Sequence, residues 1–593
     1  MQLNQQKGIR SYNKALLVPL ILVLSLIPLI VRAIKVNTKQ SQFIWYSSLD
    51  ETMDIFIYGK SITFLIISIF MLGIILTTFF KKKIKSNKVF IPLIIYAVLT
   101  ILSTILSEYK YFSLHGVGEQ YESIFILIGY TIVAYYSYLV VNTIEDVQTV
   151  MKWFIVGIVI LVAIGLSQLF RMDFFRTALG KSIISSHNLE FKFPVGRVYT
   201  TLYNPNYVGI YVALVLPVIL VCCLFGKNLK NKILYSILCI SLVACVFGSE
   251  SKTAMISISL SMLMLALLLR KFLLKHWIIT FSIIAGFILM FFGINAITKN
   301  AIINNIKNTI SATSATEKSL TSIQTKDDCV ELIYNKELLR VQMNVIDNSY
   351  VFEFTDASGQ QLNTKVSDDG KSAMIDDSRF STISVYPLQY GDNIVFSVNI
   401  DGKDWYFTNL TDDGTYYYCN LYGKLMKLNE TSQFKQSWML LSKRGFIWDN
   451  TLPIIKEHPL LGTGPDTFPI YFPNEQYLNL YQADFNTIET TEIISKPHSL
   501  FLQIAAQTGI PSLLAFLTFY IFYFINSFHI YWRSSFSKYE EQIGVGIFIG
   551  SFAYMISAIV NDSTVAVSPV FWALIGLGLA INHMISKKNI ETA

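Results

Sequence analysis

The sequence predicts an all-α polytopic membrane protein with about twelve transmembrane helices and an inserted extracytoplasmic β-rich domain. Of its 593 residues, 53% are hydrophobic and only 15% are charged, whereas soluble domains carry about 25% charged residues. Apolar runs long enough to cross about 30 Å of hydrocarbon recur along the chain. One stretch between them alternates apolar and polar residues instead, which is the pattern of β-strands.

The apolar runs define the predicted spans. They centre on residues 15–34, 61–80, 89–106, 123–141, 153–170, 207–225, 233–248, 254–270, 277–295, 509–528, 543–560 and 566–585. The run at 233–248 is short, and residues 248–252 also fit a re-entrant turn, so the number of spans carries an error of about two. The first run is too long for a signal peptide and lacks a small-residue cleavage site, so we expect a retained helix.

Positive charges predict the orientation of the spans. They cluster at both termini and after the second, sixth, eighth and tenth spans, as the positive-inside rule expects of cytoplasmic loops. The clusters are Lys7, Arg10 and Lys14; Lys81, Lys82, Lys83, Lys85 and Lys88; Lys227, Lys230 and Lys232; Arg270, Lys271 and Lys275; Arg533 and Lys538; and Lys587 and Lys588. Lys35, Lys39 and Lys60 are exceptions on the opposite side. The net charge of +7 is therefore a topology signal, and we expect no nucleic-acid partner.

This topology divides the chain into five predicted parts. They are membrane helices 1–9 in residues 1–296, an extracytoplasmic connector in 297–322, the β-rich domain in 323–427, a second extracytoplasmic loop in 428–508 and helices 10–12 in 509–593. The β-rich part alternates apolar and polar residues in segments such as 350–354 and 394–398. Turn sequences such as Asp401-Gly402 lie between the segments.

The cysteines divide by environment. Four of them lie in apolar spans, where packed thiols are expected; they are Cys222, Cys223, Cys239 and Cys245. Cys329 and Cys419 lie near the ends of the β-rich domain, either as a disulfide or as two separate thiols. No cysteine or histidine spacing resembles a zinc site, and no Gly-Lys-Ser/Thr loop is present. We therefore expect no metal, no cofactor and no ATP hydrolysis.

Three polar stretches on the predicted outer side carry chemistry-bearing residues. Gly196 to Gly209 contains Arg197, Asn204, Pro205 and Asn206 and leads into a span. The second stretch begins with Arg444-Gly445-Phe446-Ile447-Trp448 and continues through Pro459-Leu460-Leu461-Gly462-Thr463-Gly464. The third is Pro497-His498-Ser499-Leu500-Phe501-Leu502-Gln503. Together they supply two guanidinium groups and an imidazole at the outer membrane face.

In their order, spacing and sidedness, these stretches resemble the O-antigen ligase and polymerase family of bacterial membrane glycosyltransferases. The resemblance covers roughly residues 60–300 and 435–585. Position 499 is Ser where the family commonly has Asn, and position 252 is Lys where it often has Arg. The β-rich domain is extra to the family pattern, so no function is transferred to it.

The resemblance implies transfer of a glycan from an undecaprenyl-diphosphate carrier to an acceptor hydroxyl, with residues 428–508 as the catalytic loop. It implies that Arg444 and Arg197 bind the diphosphate, since planar guanidinium groups suit that charge. His498 would act as the base, because an imidazole titrates near neutrality. Direct attack on the anomeric carbon would invert its configuration.

Each assignment has a structural alternative. His498 also fits an interfacial or capping role, Arg444 a pair with Asp449 or lipid headgroups, and Arg197 a helix anchor. The remaining expected substrate-binding residues are Lys252, Asn204, Asn206, Glu119 and Glu122. Lys252 also fits a buried ion pair with Glu250, the two asparagines fit helix caps, and the two glutamates suit a helix N-terminus.

The expected location is the bacterial cytoplasmic (inner) membrane, with an extracytoplasmic active site. The lipid bilayer, the lipid-linked donor and an acceptor are the expected partners. The acceptor is another lipid-linked glycan in a polymerase, and a polysaccharide, glycolipid, wall polymer or protein in a ligase or protein O-oligosaccharyltransferase. A lipid-linked oligosaccharide flippase is the alternative without chemistry. Flippases and transporters usually show midplane charges and repeat symmetry between halves, whereas here the notable charges gather at the predicted outer surface and the two halves differ, one of them carrying a large loop.

Overall fold

The structure is a computed structural model that describes residues 14–81, 87–185, 193–276, 292, 316–347, 349–367, 372–486 and 493–592. The helices before the β-strand domain are α1 Val18–Ser25, α2 Tyr58–Phe80, α3 Ile91–Leu106, α4 Lys110–His115, α5 Ile124–Val140, α6 Ile144–Leu169, α7 Ala178–Ile184, α8 Pro205–Leu224, α9 Leu229–Ser249, α10 Lys252–Leu268 and α11 Arg270–Lys275. The helices after it are α12 Leu440–Glu457, α13 Phe468–Tyr471, α14 Tyr477–Gln482, α15 Leu500–Thr508, α16 Ile510–Arg533, α17 Tyr539–Ser557 and α18 Ser568–Thr592.

Seven helices of the described chain are long and apolar enough to cross a membrane. They are Tyr58–Phe80, Lys88–Leu106, Ile144–Leu169, Pro205–Leu224, Leu229–Ser249, Ile510–Arg533 and Ser568–Lys588. Three shorter apolar helices, Val18–Leu29, Ile124–Val140 and Lys252–Leu268, coincide with further predicted spans. The predicted span 277–295 lies outside the described residues except for Phe292. A mostly helical protein with several long apolar helices is therefore confirmed, and the number twelve stays a prediction.

Helix α8 lies at the centre of the bundle, packed against α9, α10 and α17. Its interior residues are buried on all sides, as expected of a helix enclosed by other helices. Gly550 on α17 permits the close approach, because a Cβ there would lie 2.1 Å from the carbonyl oxygen of Leu214 on α8. The side chain of Asn204 caps α8 by accepting a 2.8 Å hydrogen bond from the Asn206 amide. The cap fixes the polar stretch that contains Asn204 to the central helix.

A short hairpin lies between α1 and α2, and a strand domain is inserted before α12. The hairpin pairs β1 Ile34–Asn37 with β2 Glu51–Asp54. The domain contains β3 Leu320–Thr325, β4 Val330–Tyr334, β5 Glu337–Ile346, β6 Ser349–Asp356, β7 Thr364–Val366, β8 Ala373–Ile375, β9 Ser384–Tyr390, β10 Asn393–Ile400, β11 Lys403–Thr408, β12 Tyr417–Cys419, β13 Leu425–Met426 and β14 Asn429–Thr431. We call residues 320–431 the β-domain.

The β-domain consists of two antiparallel sheets. Their strand orders are β13-β12-β11-β10-β9-β8-β7 and β14-β3-β4-β5-β6. Apolar side chains from both sheets share one core, which includes the buried Trp405 and Phe354. The first and last strands, β3 and β14, pair with each other, so the chain enters and leaves the domain at one edge. Cys329 and Cys419 are buried free thiols, which is the second of the two expected alternatives.

The β-domain is joined to the short helix α14. Tyr477, Leu478 and Tyr481 of α14 belong to the domain's hydrophobic core. The Glu430 carboxylate on β14 accepts hydrogen bonds from the backbone amides of Tyr477 at 3.1 Å and Leu478 at 2.8 Å, which satisfies unpaired donors at the start of the helix. The domain therefore packs directly on the polar region between α12 and α15.

Candidate functional site

One large polar cavity lies where the three polar stretches, which contain Arg197, Arg444 and His498, approach one another. Its volume of about 890 Å³ falls within the range of small-molecule sites. Its lining residues lie within segments 40–54, 117–121, 203–207, 442–447 and 493–498, together with Tyr422, Pro469 and Phe485. Of the residues expected to act in catalysis or binding, the cavity is lined by Arg444, His498, Asn204, Asn206 and Glu119. Arg197, Lys252 and Glu122 are not among its lining residues.

The imidazole of His498 is held by a buried carboxylate. Its Nδ1 lies 2.8 Å from Oδ2 of Asp562, and the Asp562 side chain is only 2% exposed while that of His498 is 46% exposed. The other Asp562 oxygen accepts a 3.0 Å hydrogen bond from the Ser499 amide. An Nδ1–H that donates to a carboxylate leaves Nε2 of the neutral ring as an acceptor. This geometry suits a general base.

The turn that carries Asp562 is tied to the start of α15. The Leu500 amide donates to the carbonyl oxygens of Ala558 at 3.0 Å and Asn561 at 2.8 Å. The Gln503 side-chain oxygen accepts a 2.8 Å hydrogen bond from the Ser563 amide. Because backbone groups on both sides of Asp562 are fixed, the distance between its carboxylate and the imidazole is set by the fold.

The backbone directly before Arg444 has an unusual conformation, which sets the position of this residue in the cavity wall. The preceding residues Leu441, Ser442 and Lys443 all have positive φ angles, of 52°, 59° and 71°. The guanidinium donates one hydrogen bond of 3.1 Å to the Leu441 carbonyl, and its buried Nε has no hydrogen-bond partner among the described residues. Burial lowers the pKa of Arg444, and the nearby Asp562 opposes that shift. A guanidinium with unused donors is suited to bind an anion.

The alternative pairing of Arg444 with Asp449 is not present. Asp449 instead accepts hydrogen bonds from Lys435 Nζ at 2.8 Å and Trp438 Nε1 at 3.0 Å. On the same helix, Trp448 Nε1 donates a 3.0 Å hydrogen bond to the carbonyl of Pro497. The Arg-x-x-x-Trp pattern therefore connects the helix of Arg444 to the residue directly before His498.

A buried ionic network adjoins the cavity, and its central residue, Lys496, is also one of the cavity's lining residues. Lys496 is 4% exposed on its side chain and lies 3.9 Å from a carboxylate oxygen of Glu122, and its Nζ donates a 2.9 Å hydrogen bond to the Ser563 carbonyl. Burial opposes the charge of Lys496, but neighbouring Tyr207, Glu122, Asp562 and Asp466 outweigh burial and raise its pKa. The lysine therefore stays protonated and compensates the surrounding negative charge.

Glu122 belongs to the same network. Its carboxylate is fully buried and accepts hydrogen bonds from the hydroxyl of Tyr130 at 2.5 Å, the hydroxyl of Ser563 at 2.6 Å and the amide of Gln503 at 3.1 Å. All three partner residues are themselves buried in the protein. The expected substrate-binding role of Glu122 stays a prediction, and its contacts favour a structural role.

Asp466 fixes the loop that brings Glu119 to the cavity. Its fully buried carboxylate accepts hydrogen bonds from the backbone amides of Val117 at 2.9 Å and Glu122 at 3.0 Å. Burial raises the pKa of Asp466 to about 7, and the carboxylate of Glu122 adds to the shift. Gly116 has a φ angle of 84° and its Cβ would lie 2.7 Å from the Tyr121 Cα, so this tight loop requires glycine.

Arg197 and Lys252, which are not among the cavity's lining residues, lie in more exposed surroundings. Arg197 Nη2 lies 3.8 Å from Oε2 of Glu250, and both side chains are exposed by more than a third. Lys252 is an exposed residue at the first position of α10, after the capping Ser251. Their expected roles toward the diphosphate stay predictions. Asn204 does cap its helix, and its position in the cavity wall leaves a sugar contact possible as well.

Sequence reasoning assigned no role to Asp562, Lys496 or Asp466. Asp562 had a usable signal, because it is the only acidic residue in the short turn between the last two predicted spans, on the side of His498. The described residues hold no group of three or more His, Cys, Asp or Glu side chains positioned for a metal ion. The ionisable groups that line the cavity include the imidazole of His498 and the charged side chains Asp54, Glu119, Lys443, Arg444 and Lys496.

The long apolar helices are those expected of a multi-pass membrane protein, and a polar cavity lies beside them. Residues 405–517 match the family model described as O-antigen ligase. The match supports O-antigen ligase family membership and includes the second and third motif stretches, whereas the first, at 196–209, lies outside it. It includes Arg444, Asp466, Lys496 and His498 and ends before Asp562. No curated protein matches the chain.

Proposed function

We propose that this protein transfers a glycan from an undecaprenyl-diphosphate carrier to an acceptor hydroxyl on the outer face of the bacterial cytoplasmic membrane. The family match supports glycan transfer of the O-antigen ligase or polymerase type, with lipid-linked glycan and polysaccharide partners in general. One observation carries the finer proposal. The imidazole of His498, oriented by Asp562, and the guanidinium of Arg444 line the same cavity.

The proposed step is a direct displacement at the anomeric carbon. The acceptor oxygen forms the new bond to that carbon, and its proton passes to Nε2 of His498. The bond between the anomeric carbon and the diphosphate oxygen breaks, and the carrier diphosphate leaves with the electron pair. Asp562 stabilises the imidazolium that results. The displacement inverts the anomeric configuration, and no metal or nucleotide takes part in it.

Arg444 supplies positive charge where the leaving diphosphate gains negative charge. A half-buried guanidinium that already has one hydrogen bond, to the Leu441 carbonyl, needs little reorganisation as the bond breaks. Arg197 and Lys252, which are not among the cavity's lining residues, are proposed to attract the diphosphate at longer range, without direct contact. Asn204, Asn206 and Glu119, which line the cavity, are proposed to bind sugar hydroxyls.

The test is a transfer assay with purified protein, an undecaprenyl-diphosphate glycan and candidate acceptors. We expect transfer by the wild type and its loss in His498→Ala and Arg444→Ala. The control is His458→Ala, because His458 lies in the same loop but packs on Tyr471 with ring centroids 5.4 Å apart. Each variant is checked for folding by thermal unfolding in detergent.

The products distinguish the remaining alternatives. Elongated lipid-linked glycan identifies a polymerase, whereas glycan on a polysaccharide, glycolipid, wall polymer or protein identifies a ligase or protein O-oligosaccharyltransferase. Transfer that survives both substitutions contradicts the assigned residues. Movement of the lipid-linked glycan across reconstituted membranes, without transfer to any acceptor, contradicts the enzyme and favours a flippase.

A further inference from the structure

The β-domain contributes a side chain to the cavity. Tyr422 lies in the turn 420–424 between β12 and β13, and its half-buried side chain lines the same cavity as His498 and Arg444. The other residues of the cavity wall come from outside the β-domain. The domain thus reaches the candidate active site through one aromatic residue at the tip of one turn.

The turn that carries Tyr422 is internally rigid. The Asn420 side-chain oxygen accepts hydrogen bonds from the amides of Tyr422 at 2.9 Å and Lys424 at 3.0 Å. The hydroxyl of Tyr390 donates a 3.0 Å hydrogen bond to the Leu421 carbonyl. Because these bonds fix the backbone on both sides of the tyrosine, the position from which its ring enters the cavity is set before a ligand binds, which lowers the cost of ordering the turn.

The turn is also fixed to the loop that follows β1. Lys424 Nζ donates hydrogen bonds to the carbonyl oxygens of Ser41 at 2.6 Å and Phe43 at 2.8 Å. The amide of the buried Asn420 donates a 2.7 Å hydrogen bond to the carbonyl of Ile44. The turn and the loop therefore form one continuous surface, although they are far apart in sequence.

The same loop adds polar and aromatic groups to the cavity. Tyr46 and Ser47 line it and are half-buried. The Tyr46 hydroxyl lies close to Gly118, another lining residue, since a Cβ placed on that glycine would be 3.9 Å away. A tyrosine presents an apolar ring with a hydrogen-bonding tip. A sugar ring has the complementary surface, with C–H groups on its face and hydroxyls at its rim. A surface of aromatic rings and hydroxyls suits a sugar better than a phosphate, since phosphate is bound most strongly by cationic donors.

We propose that Tyr422 and Tyr46, with Ser47, form a glycan-binding subsite, through which the β-domain takes part in glycan recognition. The subsite binds a sugar other than the one that reacts, on either the donor or the acceptor glycan. The proposal rests on the proposed function, since that function brings glycans into the cavity.

The test compares Tyr422→Ala and Tyr422→Trp with Tyr417→Ala. Tyr417 is the matched control, because it lies on the adjacent β12 and its hydroxyl donates to Asp413 at 2.7 Å, outside the cavity lining. We expect Tyr422→Ala to raise the KM of a multi-sugar glycan by about tenfold, with kcat nearly unchanged. Tyr422→Trp retains the stacking surface and should keep a KM near the wild-type value.

Separate titrations of donor and acceptor show which glycan occupies the subsite, because only one KM should rise. Donors with a single sugar should be insensitive to Tyr422→Ala. Tyr46→Ala is the second variant, and the same KM measurement on it tests the subsite if Tyr422→Ala does not fold. An unchanged KM for both substrates in a folded Tyr422→Ala protein overturns the subsite.

Direct binding separates this proposal from the proposed function. The probe is the same multi-sugar glycan released from its lipid, titrated calorimetrically against full-length protein in detergent. Binding by wild type and Tyr417→Ala, weakened about tenfold in Tyr422→Ala, supports the subsite even where no transfer is seen. Equal binding by all variants contradicts the subsite even where transfer is intact.

Discussion

His498 and Asp562 lie 64 positions apart in the chain, yet Nδ1 of the histidine is 2.8 Å from a carboxylate oxygen of the aspartate. The carboxylate is buried and the imidazole is open to the cavity. An oriented imidazole with a free Nε2 is the arrangement in which a carboxylate fixes the tautomer and stabilises the imidazolium formed during proton transfer. Asp562 is therefore a positioning residue for His498.

Asp562→Asn should lower kcat for glycan transfer by about 10- to 1000-fold, because an amide neither fixes the tautomer nor stabilises the imidazolium. Asn keeps an oxygen for the Ser499 amide, so the turn should stay folded. The measurement is the transfer assay with saturating donor. In the double variant His498→Ala/Asp562→Asn, kcat should be no lower than in His498→Ala alone. Independent, multiplicative losses would contradict a joint role.

Arg444→Ala should lower transfer by about 100- to 1000-fold, because it removes a preorganised charge from the leaving group. Arg444→Lys should restore only part of the rate, since an ammonium lacks the planar fork of donors. The same assay measures both variants. Lys456→Ala is the control for loss of a positive charge, because Lys456 is exposed on the same helix and is not among the cavity's lining residues.

Arg197→Ala offers a contrast with Arg444→Ala. Arg197 faces Glu250 at 3.8 Å and does not line the cavity, so we expect a loss of less than about tenfold. A loss as large as that of Arg444→Ala would instead place Arg197 in direct contact with the diphosphate during transfer. This comparison therefore tests the resemblance-based assignment of two arginines to one anion.

Lys496→Met should destabilise the folded protein by about 3 to 5 kcal/mol, because it leaves the buried Glu122 without a compensating charge. The double variant Glu122→Gln/Lys496→Met should recover most of that loss, since neither buried charge remains. Thermal unfolding in detergent measures both effects. A donor KM that rises in Glu122→Gln while its Tm is unchanged would support the substrate-binding role expected of Glu122 and contradict the structural one.

Local sequence patterns predicted the parts of this fold that depend on local properties. Length and apolar composition are sufficient to identify helices such as Tyr58–Phe80 and Pro205–Leu224, and alternation identified the β-domain. Its edges were expected at 323 and 427, whereas β3 begins at Leu320 and β14 ends at Thr431. These two strands pair with each other, and a pairing over about a hundred residues leaves no local periodic signal.

In the candidate site too, features with a local sequence signal were predicted, and features that depend on distant contacts were not. Motif order and predicted sidedness brought Arg444 and His498 to one region, and the structure places both in one cavity. The expected sugar contact at Glu122 was based on its position before a span. Its burial depends on Gln503 and Ser563, which lie 381 and 441 positions away. Contacts of such separation cannot be read from spacing, so the sequence could not distinguish a cavity residue from an internal one.

Asp466 predicts a pH dependence of stability. Its pKa is raised to about 7 in the folded protein, chiefly by burial, from an ordinary value of 3.8. The folded state therefore binds the proton more tightly than the unfolded state, and stability is lost as pH rises from about 4 through about 7. Asp466→Asn keeps an oxygen for the amides of Val117 and Glu122 but cannot ionise. It should reduce the fall in stability between pH 5.5 and pH 8, by an amount on the order of a few kcal/mol.

The measurement is Tm at pH 5.5 and at pH 8 for wild type, Asp466→Asn and Asp449→Asn. Asp449 is the control, because hydrogen bonds from Lys435 and Trp438 outweigh its partial burial and lower its pKa. Its contribution to stability is present above the ordinary pKa and is lost only as pH falls below that range, so Asp449→Asn should lower Tm equally at both values. An equal Tm difference between the two pH values in wild type and Asp466→Asn would show that the buried carboxylate does not titrate in this range.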